Sequence, residues 1–215
     1  MTAASPLVLL SGLAPLLPLV VGLIFLARLG QAQRYLLGWM GLALLVQIIG
    51  LYFSHHQIQG QWLYHLYTPL EVMLVSLMYR EWLGKWWGEN TFWGIIGAFG
   101  LFALGNLLFF QAYTVINSHA ILGSNVLYVG FALAFFFHAL DNISLGQWEM
   151  NPAFWINVGI LLYNAGGLLI LGLTHWLFEQ SREFVTPIWI IHSSLNILHY
   201  LLFTLGLWLK KPEPH

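Results

Sequence analysis

Residues Trp62–Tyr79 read WLYHLYTPLEVMLVSLMY, a mostly apolar run with one carboxylate, Glu71, near its middle. A run of this length predicts a helix that crosses a bilayer. A charged side chain at that depth costs roughly 2.5–3.5 kcal/mol on insertion scales unless it is neutral, paired or wetted. Glu71 is therefore the first candidate for a functional group.

The rest of the chain repeats the apolar pattern without the charge. Of 215 residues, 59% are hydrophobic and 7% charged, against about a quarter charged in a typical soluble domain. Long apolar blocks predict helices, because backbone in lipid must satisfy its own hydrogen bonds. Barrel strands would instead alternate polar and apolar residues in short segments. The reading is an all-α membrane protein: a single domain over 1–215, built as a seven-transmembrane-helix bundle. Its spans are placed at 6–27, 35–54, 62–80, 91–111, 119–140, 152–177 and 186–209. The segment Met1–Pro6 carries no Lys or Arg and no A-x-A-like cleavage site follows, so span one reads as a retained helix rather than a signal peptide.

Basic residues set the expected orientation. Arg28, Arg34, Arg80, Lys85, Lys210 and Lys211 fall on one side of the seven-span scheme, and Arg182 alone falls on the other. The positive-inside rule then places the N-terminus outside and the C-terminus in the cytoplasm of a multi-pass cell-membrane protein. Trp62, Trp82, Trp86, Trp87, Trp93, Trp148, Trp176 and Trp208 sit at span ends, as interfacial belts require.

A weak internal echo accompanies this order. Ser54-His55 before Trp62-x-x-His65 is matched by Thr174-His175 before Trp189-x-x-His192, which suggests a 3+1+3 parallel repeat. Gly94, Gly97, Gly100 and Gly105, the run Ala165-Gly166-Gly167, and Gly38 with Gly41 predict close helix contacts. Pro69, two residues before Glu71, predicts a kink.

Several function classes fall away. The chain has no Cys, which excludes disulfides and thiolate metal sites. No phosphate loop, dinucleotide fingerprint or basic stripe occurs, so neither nucleotide nor nucleic-acid binding is expected. A retinal Schiff base is excluded because no Lys lies inside a span.

What remains is polar chemistry between helices. Tyr64, Tyr67, Thr68 and Glu71 share one helical face at spacings of three, four and seven. His192, Asn196 and His199 form a second stripe on span seven, and Asn125 adds an amide from span five. These eight residues are the expected ligand-binding set. They predict a polar cavity in the outer half of the bundle, with spans three and seven as neighbours.

Three uses of such a cavity stay open. The leading one is non-catalytic binding of a small molecule or lipid headgroup by a receptor, sensor or carrier. The second is a zinc-dependent intramembrane hydrolase using Glu71, His192 and His199. His192 and His199, however, are seven residues apart, about 10 Å along one helix axis, too far to share a metal from that helix alone. The third is a haem clamped for electron transfer. No catalytic residue or cofactor is named by the residues themselves. The expected partners are the bilayer and the ligand, with an oligomeric or signalling partner also open.

Overall fold

The structure is a computed structural model that describes residues 6–142, 148–180 and 185–209, without the side chains of 6, 8, 9, 141, 142, 171–180, 185 and 186. Arg182, Lys210 and Lys211, on which part of the orientation argument rests, and the side chains of Thr174 and His175, on which the repeat rests, lie outside the described residues. Among the described residues the chain is helical, with no strand. The helices are α1 (Pro6–Leu13), α2 (Leu16–Ile24), α3 (Gln31–His55), α4 (Trp62–Trp87), α5 (Glu89–Phe109), α6 (Ser118–Asn142), α7 (Pro152–Gln180) and α8 (Val185–Trp208).

Five stretches are long and apolar enough to cross a membrane: Gln31–His55, Glu89–Phe109, Ser118–Leu140, Pro152–Ile170 and Pro187–Trp208. The helix that carries Glu71 is not among them. At 26 residues α4 has the length, about 39 Å at roughly 1.5 Å per residue. His65, Thr68, Pro69 and Glu71 dilute its apolar character. The expected first span is also interrupted: α1 ends at Leu13, and α2 starts beyond Pro15, whose ring nitrogen has no hydrogen to continue the ladder.

By contact the chain forms two compact units, one of 1–25 with 125–215, and one of 26–124. We call them the terminal and the middle unit; α6 runs from one into the other. The division does not follow a 1–3 and 5–7 grouping of spans, because the first helices join the last ones.

In the middle unit α4 packs against both α3 and α5. Its buried positions Thr68, Val72, Val75, Ser76, Tyr79 and Leu83 recur at three- and four-residue steps, the signature of one covered face. Leu36 and Met40 of α3 and Phe92 of α5 are buried in the same unit. The connection from α3 to α4 is short and tight. A Cβ on Gly60 would lie 2.9 Å from Cδ2 of Phe53. Gly88 alone separates α4 from α5, at φ 83°, a conformation that favours glycine.

In the terminal unit α8 packs on α7, α1 and α2. Glycines make the α7–α8 approach possible. A Cβ on Gly206 would meet Cγ1 of Ile156 at 2.6 Å and the Pro152 carbonyl at 2.8 Å, and one on Gly166 would meet Cδ1 of Leu195 at 2.5 Å. The expectation for the 165–167 run therefore holds at Gly166. On α5, by contrast, no described atom lies within 4 Å of a Cβ added at Gly94, Gly97, Gly100 or Gly105.

Candidate functional site

A helix has spare acceptors but no spare donors. Each backbone carbonyl keeps a second lone pair after its ladder bond, whereas each N–H is used once and fully. Asn, His, Ser and Thr can therefore settle inside an apolar helix by donating to a carbonyl. An acceptor-only carboxylate cannot, and must find side-chain donors.

The polar residues of the terminal unit follow this rule closely. Asn157 Nδ2 donates to the Ala153 carbonyl at 2.8 Å and Asn164 Nδ2 to that of Ile160 at 2.7 Å, each within α7. His199 is buried, and its Nδ1 bonds the Gly159 carbonyl at 2.9 Å. A carbonyl only accepts, so Nδ1 carries the hydrogen. The His199 ring packs on Phe203, centroid to centroid 4.0 Å, and on Tyr163 at 4.7 Å. His192 flanks the same Tyr163 at 5.6 Å.

Asn196 has a more specific task. Its Nδ2 donates to the Ser11 carbonyl at 3.0 Å and to Ser11 Oγ at 2.9 Å. The Ser11 carbonyl is the one that the nitrogen of Pro15, four residues on, would have bonded in an unbroken helix. Ala14 N–H reaches that carbonyl only at 3.3 Å, and Asn196 supplies from α8 a second donor in place of the one that Pro15 lacks. Asn125 also lies in this unit, its Nδ2 3.2 Å from the Cβ position of Gly167.

Glu71 is in the middle unit, half-buried, and its donors come from side chains. Trp39 Nε1 on α3 donates to its Oε1 at 2.8 Å, and Tyr67 OH, one turn earlier on α4, donates to the same oxygen at 3.1 Å. Trp39 Nε1 also lies 3.3 Å from Tyr67 OH, closing a triangle. Among the described residues Glu71 Oε2 has no hydrogen-bond partner and the carboxylate makes no ion pair. One oxygen is held and the other is open.

No protein-family model, curated protein or solved structure matches this chain.

The rest of the expected α4 face serves a different purpose. Thr68 Oγ1 donates to the Tyr64 carbonyl at 2.9 Å, while Asn117 Nδ2 donates to that carbonyl at 2.9 Å and to Thr68 Oγ1 at 3.1 Å. His65 is buried, its Nε2 bonded to the Val115 carbonyl at 3.0 Å. These bonds tie the α5–α6 connection to the first turns of α4, and so place both at one end of the middle unit. A neighbouring network, in which Asn106 and His119 meet Gln111 and Ser118, braces the same connection.

The eight expected ligand residues are thus divided. Tyr64, Tyr67, Thr68 and Glu71 lie in the middle unit, with only Tyr67 joined to Glu71. Asn125, His192, Asn196 and His199 lie in the terminal unit, where Asn196 and His199 are bonded to backbone of that unit. Trp39 was missed. An even count outward from the 56–61 connection puts position 46, not 39, opposite Glu71, so the hairpin alone does not reveal it. For the zinc reading, no three His, Asp or Glu side chains converge among the described residues.

Proposed function

We propose that the chain is a seven-span, multi-pass cell-membrane protein, N-terminus outside, that binds a small molecule or lipid headgroup without catalysis. Glu71 anchors the ligand. The observation that carries this reading is the divided carboxylate: Oε1 is oriented by Trp39 and Tyr67, and Oε2 meets no donor among the described residues. A carboxylate kept only to join helices in lipid would have both oxygens engaged, because an acceptor left there without donor or water costs about 1–3 kcal/mol. An oriented, half-open carboxylate suits a ligand that brings its own N–H or O–H.

The test is a thermal-shift screen of amine- and hydroxyl-bearing headgroup analogues on purified protein with chelator present. Stabilisation that survives chelator and disappears in Glu71→Gln is expected. Stoichiometric zinc in the purified protein, or stabilisation indifferent to Glu71→Gln, overturns the reading. Orientation is open to single-cysteine labelling, since the chain has no native Cys. An impermeant maleimide is expected to label Ile58→Cys and Thr114→Cys from outside and to spare Asn90→Cys; the opposite pattern reverses the topology.

A further inference from the structure

We infer that the group received by Glu71 Oε2 is an organic ammonium. This rests on the ligand-binding reading above and adds the charge and donor count of the ligand. The triangle of Trp39, Tyr67 and Glu71 contains two neutral donors, and both reach Oε1. Two demands are left over. Among the described residues Oε2 lacks a donor, and the carboxylate lacks a countercharge. The described ion pair of α4, Arg80 with Glu81 at 3.3 Å, lies nine residues further along the helix, about 13 Å at roughly 1.5 Å per residue. Arg80 is also seated 5.6 Å from the centre of the Trp93 ring.

Three ligand chemistries meet these demands to different degrees. A neutral hydroxyl offers Oε2 a hydrogen bond and no charge. A hard metal ion offers charge but takes about 6–8 oxygen ligands for calcium, or a near-octahedral set for magnesium. The triangle offers one open carboxylate oxygen and one hydroxyl already turned toward Glu71. An ammonium answers both demands through a single N–H, and charge-assisted bonds of this kind are about twice as strong as neutral ones. A primary ammonium keeps its N–H, whereas a quaternary one has only its charge. The expected order of affinity is primary ammonium, then quaternary ammonium, then alcohol.

A phosphatidylethanolamine headgroup and a soluble amine share this chemistry, and the experiment separates them. Wild-type protein in phosphatidylglycerol nanodiscs is titrated calorimetrically with matched pairs, butylamine against butanol and 2-phenylethylamine against 2-phenylethanol. The trimethylammonium analogue of the latter is included. Each amine is expected to bind at least about tenfold more tightly than its alcohol, and Glu71→Gln is expected to close the gap. In nanodiscs that also contain phosphatidylethanolamine, native mass spectrometry reads the source. Retained phosphatidylethanolamine assigns the lipid headgroup, and its loss with amine binding intact assigns a soluble amine. Alcohols that bind as tightly as amines overturn the ammonium assignment and leave the donor-binding reading standing. Binding by neither class, with no retained phosphatidylethanolamine, overturns both. If Glu71→Gln fails to fold, the amine-to-alcohol ratio of the wild type decides alone.

Discussion

The α7–α8 pair of the terminal unit and the surroundings of α5 and Glu71 in the middle unit use small and polar residues differently. In the terminal unit Gly166 and Gly206 are filled by the α7–α8 contact, and Asn157, Asn164, Asn196 and His199 bond backbone carbonyls. In the middle unit the α5 glycines meet nothing within 4 Å, and Glu71 keeps an oxygen without a donor. The difference teaches that polarity or smallness in a membrane helix does not identify a site. What matters is whether the helix can absorb the group, and away from its N-terminus a helix absorbs donors readily but carboxylates not at all.

Glycine substitutions give the largest expected contrast. Gly206→Ala drives a methyl against the Pro152 carbonyl, which cannot rotate away, and is expected to cost about 1–3 kcal/mol in detergent unfolding. Gly97→Ala, on the exposed side of α5, is expected to be neutral or to gain up to about 1 kcal/mol from helix propensity. A large loss at Gly97, or a change of oligomeric state, would show that a partner sits on α5 and erase this half of the contrast.

Next comes the proline break. Asn196→Ala leaves the Ser11 carbonyl without its α8 donor, an expected loss of about 1–2 kcal/mol. Pro15→Ala returns an N–H in position to bond that carbonyl. In the Pro15→Ala background the cost of Asn196→Ala is therefore expected to fall by about 0.5–1 kcal/mol. A double-mutant cycle that shows no coupling would return Asn196 to the pool of candidate ligand residues.

Much of the helical layout was legible in the residues. Spans expected at 35–54, 119–140 and 186–209 correspond to Gln31–His55, Ser118–Asn142 and Val185–Trp208, because a long apolar block has few other ways to satisfy its backbone. The break at Pro15 was not read, since a proline within the first apolar block does not announce whether the helix kinks or stops. The role of Asn196 was hidden for the same reason: it answers a carbonyl 185 residues earlier. Which glycines pack was equally illegible, because a glycine permits approach without saying what approaches. Glu71 stood out alone, as the group that lipid tolerates least. Its oriented side needed Trp39, a residue whose relevance appears only once α3 and α4 are laid side by side.

The smallest expected effect bears most directly on function. Glu71→Leu removes a carboxylate and leaves the Trp39 Nε1 hydrogen and the Tyr67 hydroxyl facing one another at 3.3 Å, already a usable pair. The desolvation cost of the acid is relieved at the same time. Stability in a thermal scan is therefore expected to stay within about 0.5 kcal/mol of the wild type, or to rise. Asn196→Ala, by contrast, removes the α8 donor to the Ser11 carbonyl and is expected to lose stability. If Glu71→Leu instead unfolds the protein as readily as Asn196→Ala, then Glu71 holds helices together as Asn196 does, and the asymmetry between the units is one of geometry alone. If it folds well and loses ligand, stability and binding have been separated at a single residue, as expected of a carboxylate whose second oxygen belongs to something other than the protein.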